Sequence, residues 1–177
     1  VGLPHARNVG ARHASTDVLV YCDADDVVSP GWVRAAWDAI GVEGHGAVSG
    51  PILALDEQGR PDDAVIMDEL DGIGASPGAL RDYPFFWGCN FALAREAFSA
   101  AGGFDESLPP YGCDDLDMGI RLGLLGIDIA YSPVMQVHYR LPSGPRQRLR
   151  RKFRAGVPQA CVWQRHPTVY EDPSGVQ

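Results

Sequence analysis

Apolar and polar positions fall into short blocks with two different periods. Residues 5–14 (HARNVGARHA) read as a short helix, followed by the polar break Ser15-Thr16-Asp17. Val18 to Cys22 is an unbroken β-branched, aromatic and apolar run, the composition of a buried strand. It stops in Asp23-Ala24-Asp25-Asp26. Ser29-Pro30 then starts a helix to about Ile40, with Ser as N-cap and Pro at the first helical position. Trp32, Ala36, Trp37 and Ile40 fall roughly on one face, so the pattern predicts a strand–loop–helix unit with a core-facing stripe.

Residues 47–53 predict a second strand. Residues 56–84 show no clean period and are rich in Asp, Gly and Pro. They predict a long surface excursion able to fold over a substrate. Residues 85–93 predict a strand in which Gly88 marks a bulge or a close backbone approach. Asn90 is the isolated polar residue of that run, either a satisfied structural amide or a ligand contact. Arg95 to Ala101 is a short helix, ended by Gly102-Gly103. A second acidic cluster, Asp114-Asp115-Leu116-Asp117, starts a helix to about Leu125 with Leu116, Ile120 and Leu124 in one row. Strands are expected at 127–131 and 134–139, and residues 143–155 predict a basic amphipathic helix with Leu149 and Phe153 as its apolar pair.

The 177 residues, 45% hydrophobic and 21% charged, suit one globular domain or most of one. No stretch approaches the apolar length of a membrane span. The opening Val1-Gly2-Leu3-Pro4-His5 lacks an initiator Met and reads as the interior of a longer protein. Cys22, Cys89, Cys113 and Cys161 have no paired spacing, which argues for reduced thiols in a cytoplasmic protein and against a zinc site.

Charge divides the chain. The net charge is −8, yet residues 140–165 hold eight basic residues and no acidic ones. An acidic body calls for a cation. The basic segment 146–154 suits an anionic membrane, which would make the protein peripheral at the inner face of the membrane. No module or aromatic interleaving points to nucleic acid. Within the body, three carboxylates in four residues at a strand end repel one another unless a hard divalent cation lies among them. A solvated turn is the plainer explanation of the same residues. For Asp114 and Asp115 the plainer explanation is the favourable place of acids at a helix start.

Taken together, the motifs resemble the family 2 glycosyltransferases with the GT-A fold. His5-Ala6-Arg7-Asn8-Val9-Gly10 is similar to that family's Ala-Arg-Asn helix, and Cys22-Asp23-Ala24-Asp25-Asp26 with Pro30 to its Asp-x-Asp metal motif. Trp87-Gly88-Cys89-Asn90 with Gly102-Gly103-Phe104-Asp105-Glu106 is similar to its acceptor-side strand and turn. Asp114-Asp115-Leu116-Asp117-Met118 is similar to its catalytic-base helix, where the family usually has Glu-Asp. The resemblance covers residues 2 to about 141 and implies an α/β fold, a GT-A-type (Rossmann-like) mixed sheet flanked by helices. Set against that family, the sequence is expected to be amino-terminally truncated, lacking the first strands that hold the nucleotide base. The expected division is a partial catalytic domain at 1–141 and a basic helix and tail at 142–177.

The resemblance implies a metal-dependent, inverting transferase. It would move a sugar from a nucleotide-sugar donor to a hydroxyl of a glycan, lipid-linked or small-molecule acceptor. Asp25 would bind Mn2+ or Mg2+, Asp23 the ribose or the ion's water shell, and Asp115 would be the general base beside Asp114. His138 matches a metal-binding His of some relatives. Trp87, Gly88 and Asn90 would line the acceptor and sugar site, and Arg7 would help hold the nucleotide. Two other readings stand beside it. One is a binding module that keeps the fold without catalysis. The other is a haloacid-dehalogenase-like phosphohydrolase built on Asp23 and Asp25, which would need a Lys or Arg ahead of the later acids, whereas the chain's one lysine is Lys152.

Overall fold

The computed structural model describes residues 2–56, 58–67, 86–110, 112–140 and 145–170. Its elements are α1 (Leu3–His13), β1 (Val18–Cys22), β2 (Val27–Val28), α2 (Trp32–Trp37), β3 (Ala47–Ser49), β4 (Ile52–Leu55) and β5 (Pro61–Met67). They continue as β6 (Asn90–Ala94), α3 (Arg95–Ala100), α4 (Asp114–Leu124), β7 (Ile129–Tyr131), β8 (Val137–Tyr139), α5 (Pro145–Arg165) and α6 (Pro167–Tyr170). The strands form two four-stranded mixed sheets, β1-β6-β3-β7 and β2-β8-β4-β5.

The first sheet is covered on both faces, and β6 shows how. Alternate strand residues point to opposite sides. Ala92 joins Trp32, Ala36, Ala39, Ile40, Val48 and Val137 under α2. Phe91 and Leu93 join Ala97, Phe104, Met118 and Leu122 under α3 and α4. A sheet buried on both faces needs apolar residues at successive positions, which is why β1 and β6 read as continuous runs. A third cluster links α4 to the C-terminal helices: Leu108, Leu116 and Ile120 pack with Val162 and Val169.

Several sequence expectations change in three dimensions. The strand expected at 47–53 is two strands in different sheets, separated at Gly50-Pro51. The break follows from crowding: a Cβ on Gly50 would meet the Met135 carbonyl at 2.1 Å and that of Ser132 at 2.5 Å. Residues 61–67 of the expected long loop form β5, antiparallel to β4. Residues 68–84 of that loop lie outside the described residues. The strand expected at 85–93 begins only at Asn90, because Trp87 to Asn90 is a tight turn closed by Asn90 N–H to the Trp87 carbonyl, 2.9 Å.

The helix that begins at Trp32 ends in a π-helical turn, Asp38–Val42. Trp37 and Leu124, both placed in core stripes by periodicity, are half exposed at 50% and 55%. Their helices are short and the rows outrun the surfaces they cover. The basic helix is longer than expected, reaching Arg165 through an internal Pro158.

Candidate active site

The first acidic cluster is a turn at the end of β1. The Asp26 N–H donates to the Asp23 carbonyl, 3.2 Å. Asp25 is exposed, while Asp23 and Asp26 are half-buried. The chain then enters β2, which pairs with β8 so that Val27 lies opposite His138. His138 is buried, with its Nδ1 3.5 Å from Ser29 Oγ. The register thus brings His138, more than a hundred residues away in sequence, beside the acidic turn.

The second cluster forms at the start of α4. Gly112 (φ 92°) and Cys113 (φ 64°) are both in the left-handed region, which swings the chain sharply into the helix. Asp114 is 1% exposed and pairs with Arg7, Nη1 to Oδ2 at 2.6 Å. The other Arg7 terminal nitrogen, Nη2, donates to the Gly88 carbonyl. The guanidinium also lies 5.3 and 5.4 Å from the ring centres of Phe91 and Phe104. Burial pushes the Asp114 carboxyl above the usual range and its neighbour Asp115 adds to this, while the Arg7 charge opposes it.

Asp115 is held differently. Its Oδ2 accepts the Gly88 N–H at 2.7 Å and its Oδ1 accepts the Leu116 N–H at 2.9 Å. Gly88 therefore donates to Asp115 and accepts from Arg7. A Cβ there would lie 2.7 Å from Asp115 Oδ2 and 2.9 Å from Arg7 Nη2. This close approach is the reason for glycine at position 88, where the sequence showed only a break in a strand.

The charges of both clusters act on one thiol. Strand β6 runs antiparallel to β1 with Asn90 opposite Cys22, so the turn before β6 stands over the turn after β1. Burial pushes the Cys89 thiol far up, and the negative charges of Asp26, Asp23 and Asp115 push it further. Cys22 is raised by burial and by Asp26 and Asp23. The Cys113 thiol is pushed up to about 12 by burial, Asp115 and Asp114. Both acidic clusters therefore act on the Trp87–Asn90 turn.

Two expected contacts take another form. Asn90 does not reach an open site: it is fully buried, and its amide is saturated. Its Oδ1 accepts the Trp32 indole N–H at 2.8 Å, and its Nδ2 donates to the Pro51 and Met135 carbonyls at 3.1 and 2.7 Å. It is the structural amide of the two alternatives. Arg7 faces Asp114 and Gly88 and is 7% exposed, so its charge is directed at the protein. Trp87 and Gly88 are half-buried at the turn itself.

The donor set suits a hard cation, since carboxylate oxygens dominate it. Among the described residues no three His, Cys, Asp or Glu side chains group closely enough to form a protein-only cage.

Sequence reasoning placed Trp32 on a core stripe but missed that its indole fixes Asn90, and it missed Ser49, whose Oγ donates to the Asn90 carbonyl at 2.6 Å. It also missed the His166–Asp117 contact, 2.8 Å, which ties the end of α5 to α4. None of these pairings had a local signal, because the hydrogen-bonded partners lie 41 to 58 positions apart in the chain.

The fold has solved counterparts. The fold matches the crystal structure of GalNAc-T7 with UDP, GalNAc and Mn2+ (TM-score 0.58, 20% identity, 79% of this chain and 30% of that one). It also matches the mannosyltransferase PcManGT from Pyrobaculum calidifontis in complex with GDP-Man and Mn2+ (TM-score 0.56, 18% identity, 92% and 49%). The architecture is that of the GT-A glycosyltransferases. The model of glycosyl transferase family 2 matches residues 1–102, and that of the N-terminal domain of galactosyltransferase matches residues 74–142. The chain belongs to glycosyl transferase family 2.

Among named relatives, polypeptide N-acetylgalactosaminyltransferase 8 of Drosophila melanogaster is 30% identical over 81% of this chain and 27% of its own length. Succinoglycan biosynthesis protein ExoM of Rhizobium meliloti is 30% identical over 85% and 50%. The inactive polypeptide N-acetylgalactosaminyltransferase-like protein 5 of Macaca fascicularis is 28% identical over 77% and 34%. The chain thus spans between about a quarter and half of the length of these relatives. The phosphohydrolase reading falls with the family assignment.

Proposed function

We propose that the protein moves a sugar from a nucleotide-diphosphate donor to an acceptor hydroxyl, inverting the anomeric carbon, with Asp115 as general base. The Asp115 carboxylate carries this reading. Two backbone N–H groups fix it in place. A carboxylate has about four lone-pair positions, so capacity remains to accept the proton of an attacking hydroxyl. One base acting on the face opposite the leaving group gives a single displacement, the logic of inverting glycoside hydrolysis.

On the other side of the Trp87–Asn90 turn, Asp25 would hold Mn2+ or Mg2+, and Asp23 would touch the ribose or the ion's water shell. His138, opposite Val27, would complete that side. Such an ion, when bound, neutralises charge on the departing diphosphate. Trp87 and Gly88 would border the acceptor. Arg7 and Asn90 act at one remove, as positioning residues: Arg7 through Asp114 and the Gly88 carbonyl, Asn90 through Trp32. Support comes from the solved relatives, described with UDP and GalNAc or with GDP-Man, and Mn2+ in each. The name succinoglycan biosynthesis protein supports a glycan acceptor.

A relative named as inactive favours a second reading, a sugar- or protein-binding module without catalysis. A thermal-shift series with UDP- and GDP-sugars, with and without Mn2+, separates the two. The expected result is stabilisation by one nucleotide only when Mn2+ is present, and a product of inverted configuration by NMR. Asp115→Asn should lower transfer by about a hundredfold or more and keep the nucleotide response. Absence of any nucleotide response would leave the binding module. A product of retained configuration would remove Asp115 from the role of base.

A further inference from the structure

Helix α5 has two unlike sides. Its last turns are fastened to the body. Val162 is fully buried in the cluster with Leu116 and Ile120. Arg165 reaches Asp105 at 3.3 Å and Ser107 Oγ at 2.6 Å, and His166 reaches Asp117 just beyond the helix. The other side carries Leu149, Phe153 and Val157, spaced by four residues and 70%, 83% and 63% exposed. Val162 lies about two and a half turns beyond Phe153, so the apolar stripe points away from the body. Exposed Arg146, Arg150 and Arg154 keep the same spacing beside it.

We propose that this stripe lies on an anionic phospholipid bilayer, with Leu149, Phe153 and Val157 in the interface and the arginines on the headgroups. An apolar row flanked by cations, in a segment with no acidic residue from 140 to 165, is the pattern of a helix lying in a membrane surface. No described helix is long and apolar enough to cross a membrane, so the contact is lateral. A second copy fits less well, since two arginine rows would face each other. Phosphates alone would leave an 83% exposed Phe unexplained. The inference is independent of the sugar-transfer reading. Because α5 is fastened to α4 through His166 and Asp117, a bound helix carries the Asp115 region with it.

Flotation with vesicles of equal parts phosphatidylcholine and phosphatidylglycerol tests this, with pure phosphatidylcholine as control. The protein should float with the anionic vesicles only, and less as salt rises. Phe153→Asp, and separately Arg150→Glu with Arg154→Glu, should each weaken binding by roughly tenfold or more while circular dichroism stays unchanged. No flotation, equal flotation with both vesicles, or binding indifferent to these substitutions would overturn the proposal. So would self-association that Phe153→Asp abolishes in protein that does not float, which assigns the stripe to a second copy.

Discussion

Position 88 shows how much depends on one missing methyl group. The Gly88 N–H holds Asp115 and its carbonyl accepts from Arg7, with no room between for a Cβ. Neither neighbour can easily yield, because Asp115 is bound by two backbone N–H groups and Arg7 by buried Asp114. Gly88→Ala should therefore displace the Asp115 carboxylate. The expected result is a kcat lower by roughly tenfold to a hundredfold, since small misplacements at a reacting centre cost that much. Donor binding, read by Mn2+-dependent thermal shift, should persist, as Asp23 and Asp25 lie on another turn. A proportional loss of nucleotide response would show that the turn collapses as a whole. At this scale the sequence was legible for types and blind to partners. Arg7 and Asp114 were both singled out from the chain, but their ion pair spans 107 positions and needed the fold.

Strand β6 organises the elements as Gly88 organises its neighbours. It pairs with β1 and β3, supplies both faces of the core, and holds Asn90 at its first position. Asn90 joins α2 through Trp32 to the chain around Pro51 and Met135. Replacing it leaves the Trp32 indole N–H and the Met135 carbonyl buried without their partner, while the Pro51 carbonyl keeps the Val137 N–H at 3.2 Å. Asn90→Ala should lower unfolding free energy by about 3 kcal/mol, measured by urea denaturation, given about 1–3 kcal/mol for each buried group left unsatisfied. Asn90→Asp should not restore it, because a carboxylate donates to neither carbonyl. Periodicity located most of the elements, since burial on one or two faces writes itself into residue order. It failed at 47–53, where one apolar run serves two sheets, and at 87–90, where an aromatic run hides a turn.

Across the whole molecule, the C-terminal helices complete the core. Leu108, Leu116 and Ile120 are covered by Val162 and Val169, and buried Asp117 is met by both Arg121 and His166. Removing residues from Pro145 onward should expose that apolar surface and leave Asp117 short of a partner. The truncated protein is expected to melt several degrees lower and to bind a hydrophobic dye, by scanning fluorimetry and fluorescence. Unchanged melting would show that 142–177 is separable, the division expected from the extent of the resemblance and the basic tail. The charge split between body and α5 was plain from the sequence, because it is a count. That the helix turns its apolar stripe outward was not, because the stripe has core-like chemistry and only packing assigns it a side.

By itself the sequence determined which residues carry charge at strand ends and helix starts, which runs are sheet core, and the family those motifs mark. Each follows from local chemistry: β-branched runs suit pleated surfaces, acids suit helix starts, and carboxylates cluster where a cation can sit. Tertiary structure alone decided the partners. It turned Asn90 inward, paired Arg7 with Asp114, pressed Gly88 against Asp115 and set Asn90 of β6 opposite Cys22 at the end of β1. Those outcomes depend on register and crossover between residues far apart in the chain. No local preference encodes them, because the energy that selects them is the packing of the assembled sheets.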